Sequence, residues 1–118
     1  MLRHASGCRG DSRPTAMRPP DPVELTRRLV SIPSVNPALE AAGTGEAEMA
    51  REVGGILARC GFEVETRPVQ GARPNVLARL GVGGPVLLLN GHLDTVGVEG
   101  MTVDPWGGDS TGERVVGR

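Results

Sequence analysis

The sequence predicts an α/β fold in which two helices pack on a mixed sheet. Residues 86–89 are four consecutive aliphatic residues between Gly-Pro and Asn-Gly pairs, which is typical of a short strand buried on both faces. Before this run lie two segments with helix-start signals and apolar residues at three- and four-residue spacing. Between the helices and the run, from Phe62, the apolar period changes to two, which indicates strands.

Composition limits the classes of protein to which the chain can belong. Its 118 residues, with 38% hydrophobic and 23% charged content, fit one small globular domain. A net charge of −1 provides no basic surface for nucleic acid or anionic lipid, so we expect neither a nucleic-acid nor a membrane partner. Cys8 and Cys60 are too few for a disulfide framework, and we expect a cytoplasmic protein.

Residues 1–20 are predicted to be a disordered leader. They contain four arginines and one acid, with Gly, Ser and Pro between them and no apolar period that could bury a core. The leader lacks the apolar face of a transit peptide and the apolar centre of a secretory signal. Met17 is an alternative start of the protein, and residues 21–118 are predicted to form the folded part.

The first helix is predicted to begin at Asp21-Pro22 and to end near residue 32. Asp can cap the free amides of the first turn, and Pro fits the first helical position. The following residues, 34–37, contain a second proline and are predicted to be an extended connection.

The second helix is predicted from residue 44 or 45 to Cys60, with Gly61 as its stop. The Gly54-Gly55 pair weakens this helix and is interpreted as a site of close packing on the sheet. The predicted buried face consists of Ala47, Ala50, Val53, Ile56, Leu57 and Cys60.

Four strands are predicted after the helices. Residues 62–67 alternate apolar with charged side chains and form a half-exposed strand, and residues 75–80 form the next one. The Gly-rich residues 81–84 are a plain loop, because neither a helix nor a lysine follows as a phosphate-binding loop requires. Residues 85–89 form the central strand, and residues 115–116 a short final one.

His92 and Asp94 come directly after the predicted central strand. Side chains at i and i+2 of an extended segment point to the same side, so both are expected to face one cleft at the strand's carboxyl end. A His-x-Asp pair alone is a weak motif. Its structural alternative is a histidine satisfied by local hydrogen bonds and an aspartate that caps a loop.

The neighbourhood of this pair carries a family resemblance. Along the chain, the segments are, in order, Leu29-Val30-Ser31-Ile32-Pro33-Ser34, Gly45-Glu46, Gly61-Phe62-Glu63-Val64, Arg73-Pro74-Asn75-Val76, Gly91-His92-Leu93-Asp94-Thr95-Val96, Asp104-Pro105-Trp106 and Val116-Gly117-Arg118. In the order and spacing of these segments, residues 21–118 resemble the N-terminal segment of the two-zinc amidohydrolases, which include acetylornithine deacetylase, succinyl-diaminopimelate desuccinylase, aminoacylase and the carboxypeptidase-G type enzymes.

The resemblance implies a function and two site residues. His92 would bind one of two zinc ions, with cobalt or manganese as alternative metals, and Asp94 would be the catalytic residue that holds the imidazole. The substrate would be a small N-acyl amino acid or peptide. The chain would be the incomplete N-terminal part of a zinc-peptidase-like catalytic domain, inactive alone because the other ligands follow residue 118. A homodimer would form through a domain that this chain does not contain.

Three alternatives are weaker or remain open. Glu99, Asp104 and Asp109 could replace the missing ligands, but their Gly-rich setting predicts loop residues without the rigidity of a metal site. Residues 108–112 match the Gly-x-Ser-x-Gly pattern of serine hydrolases around Ser110, but a Gly-rich loop precedes the serine and no helix is predicted after it. The last alternative is a non-catalytic truncated product or binding fragment.

Overall fold

The computed structural model describes Arg18 and residues 20–71, 73–112 and 114–118. Apart from Arg18 and Pro20, the predicted leader and the alternative start at Met17 lie outside the described residues. The described elements, in chain order, are α1 (Pro22–Val30), α2 (Ala47–Arg59), β1 (Glu63–Gln70), β2 (Arg73–Arg79), β3 (Asp109–Thr111) and β4 (Arg114–Val116).

Helix α1 begins where the sequence predicts. The Asp21 side chain accepts hydrogen bonds from the amides of Val23 (2.9 Å) and Glu24 (3.3 Å), and Pro22 occupies the first helical position. These bonds satisfy amides that have no partner within the helix. The helix ends at Val30, close to the predicted residue 32. None of the described helices is long and apolar enough to cross a membrane.

Helix α2 begins at Ala47 instead of residue 44 or 45. Glu46 occupies the N-cap position without capping the helix, because its buried side chain pairs with Arg73. Ala50 of the predicted buried face is buried, but the prediction for Ala47 is wrong, because Ala47 is exposed. Met49 and Gly54 are buried in addition. The other predicted members are partly buried, namely Val53, Ile56, Leu57 and Cys60.

Strands β1 and β2 form an antiparallel hairpin on which α2 packs. Gly54 lies at the contact, since a Cβ atom at this position would stand 3.5 Å from Val64 Cγ1 and 3.9 Å from Val76 Cγ1. The prediction of close packing on the sheet therefore holds for Gly54 but not for Gly55, where a Cβ atom would meet only the Arg59 side chain, at 3.4 Å.

The predicted central strand is not formed. Residues 85–90 belong to none of the described strands, and the side chains of Val86 to Leu89 are between 83% and 88% exposed. The predicted mixed sheet is therefore also wrong for the described residues, which form two separate antiparallel pairs, β1-β2 and β3-β4. The reason is that a strand needs hydrogen-bonding neighbours, and a local apolar pattern cannot supply them.

Strands β3 and β4 form a second hairpin near α1. The final strand at residues 115–116 is confirmed as part of β4, whereas residues 109–111, predicted as loop, form β3. This segment is attached to α1 because Arg27 Nε donates to the Gly108 carbonyl at 2.9 Å. The amide of Arg118 donates to the Pro105 carbonyl at 2.8 Å.

Candidate functional site

A parallel bridge anchors the segment that contains His92 and Asp94. The amide of Thr95 donates to the Ser34 carbonyl, and the amide of Asn36 donates to the Thr95 carbonyl, each at 3.0 Å. Ser34 and Val35 are buried. The bridge therefore holds residues 94–96 against the loop that follows α1, although the preceding residues 85–90 are exposed.

His92 and Asp94 contact each other directly. Nδ1 of His92 lies 2.8 Å from the carbonyl oxygen of Asp94 and 3.3 Å from its Oδ1. Both oxygens accept hydrogen bonds, so in this contact Nδ1 carries the hydrogen and Nε2 keeps its lone pair in the neutral ring. The His92 side chain is 84% exposed. The pair thus presents an oriented imidazole with Nε2 available to a ligand.

An open cleft of about 420 Å³ adjoins this pair. Its lining consists of His92, Asp94, Thr95, Val96, Gly117 and Arg118. The C-terminal residues Gly117 and Arg118 therefore form part of the cleft wall. A volume of this size accommodates a small molecule, and the cleft combines a ring nitrogen, a carboxylate and a guanidinium.

Asp94 is held by a residue distant in sequence. Asn36 Nδ2 donates to Asp94 Oδ2 at 2.8 Å, across 58 positions of the chain. The Asn36 amide holds the pKa of Asp94 below its ordinary value of 3.8, and the positive charge of Arg73 acts in the same direction, while partial burial opposes both. Asp94 is therefore a carboxylate at neutral pH.

A partly buried ion pair joins the start of α2 to the hairpin. Arg73, the first residue of β2, donates through Nε to both carboxylate oxygens of Glu46 at 3.0 Å and through Nη2 to Oε1. The Glu46 carboxylate raises the pKa of the Arg73 guanidinium. The charge of Arg73 also contributes to the lowered pKa of Asp94.

The sequence interpretation missed Asn36, Glu46 and Arg73 as site residues. Glu46 and Arg73 lie in two segments that carry the family resemblance, residues 45–46 and 73–76, and Asn36 lies in the predicted extended connection at residues 34–37. Their polar side chains among apolar neighbours were the available signal. Only the folded chain shows that Asn36 reaches Asp94 and that Arg73 reaches Glu46.

The described residues do not make up a complete metal site. Among them there is no group of three His, Cys, Asp or Glu side chains that could hold a metal ion, whereas a catalytic zinc site has about three protein ligands. The geometry at His92 fits one ligand, because its Nδ1 is oriented by oxygens and its Nε2 is exposed.

The three alternative acidic residues lie elsewhere. Asp104 Oδ1 accepts the Trp106 amide at 3.0 Å within its own turn, and Glu99 is exposed in a loop, as predicted. Asp109 differs from the prediction because it begins β3. In this part of the chain, none of the three lines the cleft beside His92.

The backbone around Ser110 does not have the conformation that a serine-hydrolase nucleophile requires. Ser110 lies in the middle of β3, paired with Val115 of β4 in a hairpin. A nucleophilic serine of the Gly-x-Ser-x-Gly type requires a sharp turn from a strand into a helix. Residues 114–116 form a strand instead, so the match to the pattern carries no structural support.

Comparison with curated proteins finds enzymes named for the removal of acyl groups. The chain is 40% identical over 104 residues to the succinyl-diaminopimelate desuccinylase of Gluconobacter oxydans (strain 621H), which covers 85% of this chain and 26% of that enzyme. It is 38% identical over 76 residues to the acetylornithine deacetylase of Salmonella paratyphi B, covering 63% of this chain and 20% of the enzyme. The acetylornithine deacetylase of Erwinia tasmaniensis is 38% identical over 79 residues, 65% of this chain and 21% of the enzyme.

These matches confirm the resemblance that the sequence predicts. Over the matched residues, the chain is similar to succinyl-diaminopimelate desuccinylase and to acetylornithine deacetylase. The chain spans about a quarter of the length of the desuccinylase and about a fifth of that of the deacetylases. No family model matches the chain, and no solved structure matches it.

Proposed function

We propose that the protein containing this chain is a zinc-dependent hydrolase that cleaves the amide bond of an N-acyl amino acid or small peptide. Deacylation of an acylated amino acid is the preferred reaction, because the matched relatives are a desuccinylase and deacetylases. The observation that carries the proposal is the contact between His92 and Asp94 beside an open cleft. A buried or randomly oriented histidine in this position would not support it.

In this proposal His92 is a metal ligand through Nε2, and Asp94 is the catalytic residue that holds the ring. The Asp94 carbonyl fixes the hydrogen on Nδ1, and the carboxylate at 3.3 Å helps to hold the orientation of the imidazole. Zinc, when bound, lowers the pKa of a bound water and polarises an amide carbonyl. The complete site would contain two zinc ions, or cobalt or manganese, with further ligands from outside the described residues.

The cellular setting is part of the same proposal. We place the protein in the cytoplasm, with a small N-acyl amino acid or peptide as substrate and no nucleic-acid or membrane partner. A homodimer would form through a part of the protein outside this chain. The near-neutral net charge of the chain supports the absence of a polyanionic partner.

The test uses the full-length gene product. Zinc per polypeptide is measured by elemental analysis beside hydrolysis of N-acetyl and N-succinyl amino acids. We expect His92→Ala to lose one zinc and to abolish hydrolysis, because a zinc site does not lose a protein ligand without a large loss of affinity. We expect Asp94→Asn to keep much of the metal while its rate falls by roughly 10- to 100-fold or more.

Two outcomes would reject the proposal. Full zinc content in the His92→Ala protein, or unchanged rates in both variants, would place the site elsewhere. Ser110→Ala is the matched control, since its rate stays unchanged unless the serine is the nucleophile. A parent protein that binds zinc but hydrolyses none of these amides would favour the non-catalytic alternative.

A further inference from the structure

The residue that holds Asp94 in place is Asn36, on the loop between α1 and α2. Its side chain makes two hydrogen bonds, one from Nδ2 to Asp94 Oδ2 at 2.8 Å and one to Oδ1 from the Ala38 amide at 2.9 Å. The Ala38 N–H must face the side-chain oxygen of Asn36, and the Asp94 carboxylate must face its NH₂ group. The two partners therefore fix the orientation of the Asn36 side-chain amide.

The backbone of Asn36 is as constrained as its side chain. Its amide donates to the Thr95 carbonyl at 3.0 Å, and its carbonyl accepts the amides of Leu39 and Glu40 at 3.0 Å. Gly43 packs so closely on this turn that a Cβ atom there would lie 2.6 Å from the Val35 carbonyl oxygen. Asn36 is therefore held on both sides and can act as a fixed point for Asp94.

We propose that Asn36 is a positioning residue that aims the Asp94 carboxylate at the His92 ring. With Oδ2 bonded to Asn36, the other oxygen, Oδ1, lies 3.3 Å from His92 Nδ1. Without the amide, rotation about the side chain of Asp94 would be free to move Oδ1 away from the ring. A misplacement of about 1 Å in a catalytic group is enough to cost on the order of 100-fold in rate.

The competing interpretation is that Asn36 only caps its own turn. A serine at this position separates the two roles, because it can still accept the Ala38 amide but is too short to reach Asp94. Thr44→Val is the matched control. Thr44 Oγ1 donates to the Pro33 carbonyl at 3.0 Å, so its loss weakens the same loop without touching Asp94.

The first experiment measures kcat and KM of the full-length gene product for an N-acetyl amino acid, and rests on the proposed function. For Asn36→Ser we expect kcat to fall by roughly 10- to 100-fold with KM changed less than about threefold, because the substrate still binds while the carboxylate is misaligned. Thr44→Val should keep kcat within about threefold. Equal kcat values for the two variants would overturn the inference and leave Asn36 as a turn cap.

The second experiment does not depend on hydrolysis. Asn36→Asp keeps the turn cap but sets two carboxylates against each other, and should lower the melting temperature of the full-length protein. Adding Asp94→Asn exchanges the carboxylate and the amide, restores a hydrogen bond between the two side chains, and should raise the melting temperature again. If adding Asp94→Asn does not raise the melting temperature, the contact between residues 36 and 94 does not contribute to stability and the inference fails. If recovery occurs in a parent that hydrolyses nothing, the positioning contact stands and the proposed function fails.

Discussion

Residues 47–79 and residues 85–89 are both patterned for regular structure, but only the first region has it. In the first, α2 covers the β1-β2 hairpin, and Met49, Ala50 and Gly54 are buried. In the second, four aliphatic side chains in a row are more than 80% exposed and none belongs to a described strand. The difference shows that an apolar run forms a strand only when neighbouring strands supply hydrogen bonds and another element packs over its side chains.

The largest expected effect concerns the ion pair that closes the packed region. Arg73→Met leaves the buried Glu46 carboxylate without a partner, and should lower the melting temperature of the 118-residue chain by more than about 10 °C. Arg79→Met, an exposed position at the other end of β2, is the control. The Glu46→Leu/Arg73→Met double variant should recover most of the loss. Equal melting temperatures for Arg73→Met and Arg79→Met would contradict the prediction.

The next effect concerns the contact between α2 and the hairpin. Gly54→Leu forces side-chain atoms toward Val64 and Val76, and should reduce the free energy of unfolding by about 1–3 kcal/mol. Gly54→Ala should be neutral or stabilising by up to about 1 kcal/mol, because a single Cβ at 3.5 Å is in ordinary contact and alanine favours the helix. Urea unfolding of the two variants measures the contrast. A large loss in the alanine variant would mean that the contact is tighter than described.

The exposed region should respond differently. Leu88→Lys should change the free energy of unfolding by less than about 0.5 kcal/mol, because the side chain is 83% exposed. It should, however, reduce self-association of the chain, since a charge interrupts an apolar segment available for pairing. Analytical ultracentrifugation across a concentration series detects the change. Leu80→Lys, at an exposed leucine outside the run, is the control and should leave association as in the parent.

The smallest effect is on pH dependence in β1. The Arg67 guanidinium, hydrogen-bonded to Glu65 at 2.7 and 2.8 Å, holds the pKa of Glu65 below its ordinary value of 4.5. A lowered pKa adds stability above 4.5 that is lost as the pH falls through the folded-state value. Glu65→Gln should therefore lower the melting temperature by less than about 2 °C at neutral pH, because both side chains are about half exposed. The difference from the parent should vanish at acidic pH, and a constant difference would assign it to another cause.

The site was only partly predictable from the sequence. The sequence places His92 and Asp94 two residues apart, and their contact follows from that spacing. Asn36 could not be assigned from local pattern, because its role depends on the bridge between Val35 and Thr95. Metal coordination could be inferred only from the family resemblance, since the described residues supply a single well-oriented imidazole.

Structural features that depend on contacts between residues close along the chain could be predicted from the sequence. The cap of α1 by Asp21 and the extents of α2 and β1 to within a few residues depend on neighbours a few positions away. The predicted alternation of β1 is present only in part, since Val64 is half-buried but Thr66 is exposed. The tertiary structure alone decided that Glu46 pairs with Arg73, that Asn36 holds Asp94 and that residues 85–90 join no described strand. The physical reason is that these contacts require distant segments to meet, and each depends on which surfaces the rest of the fold brings together.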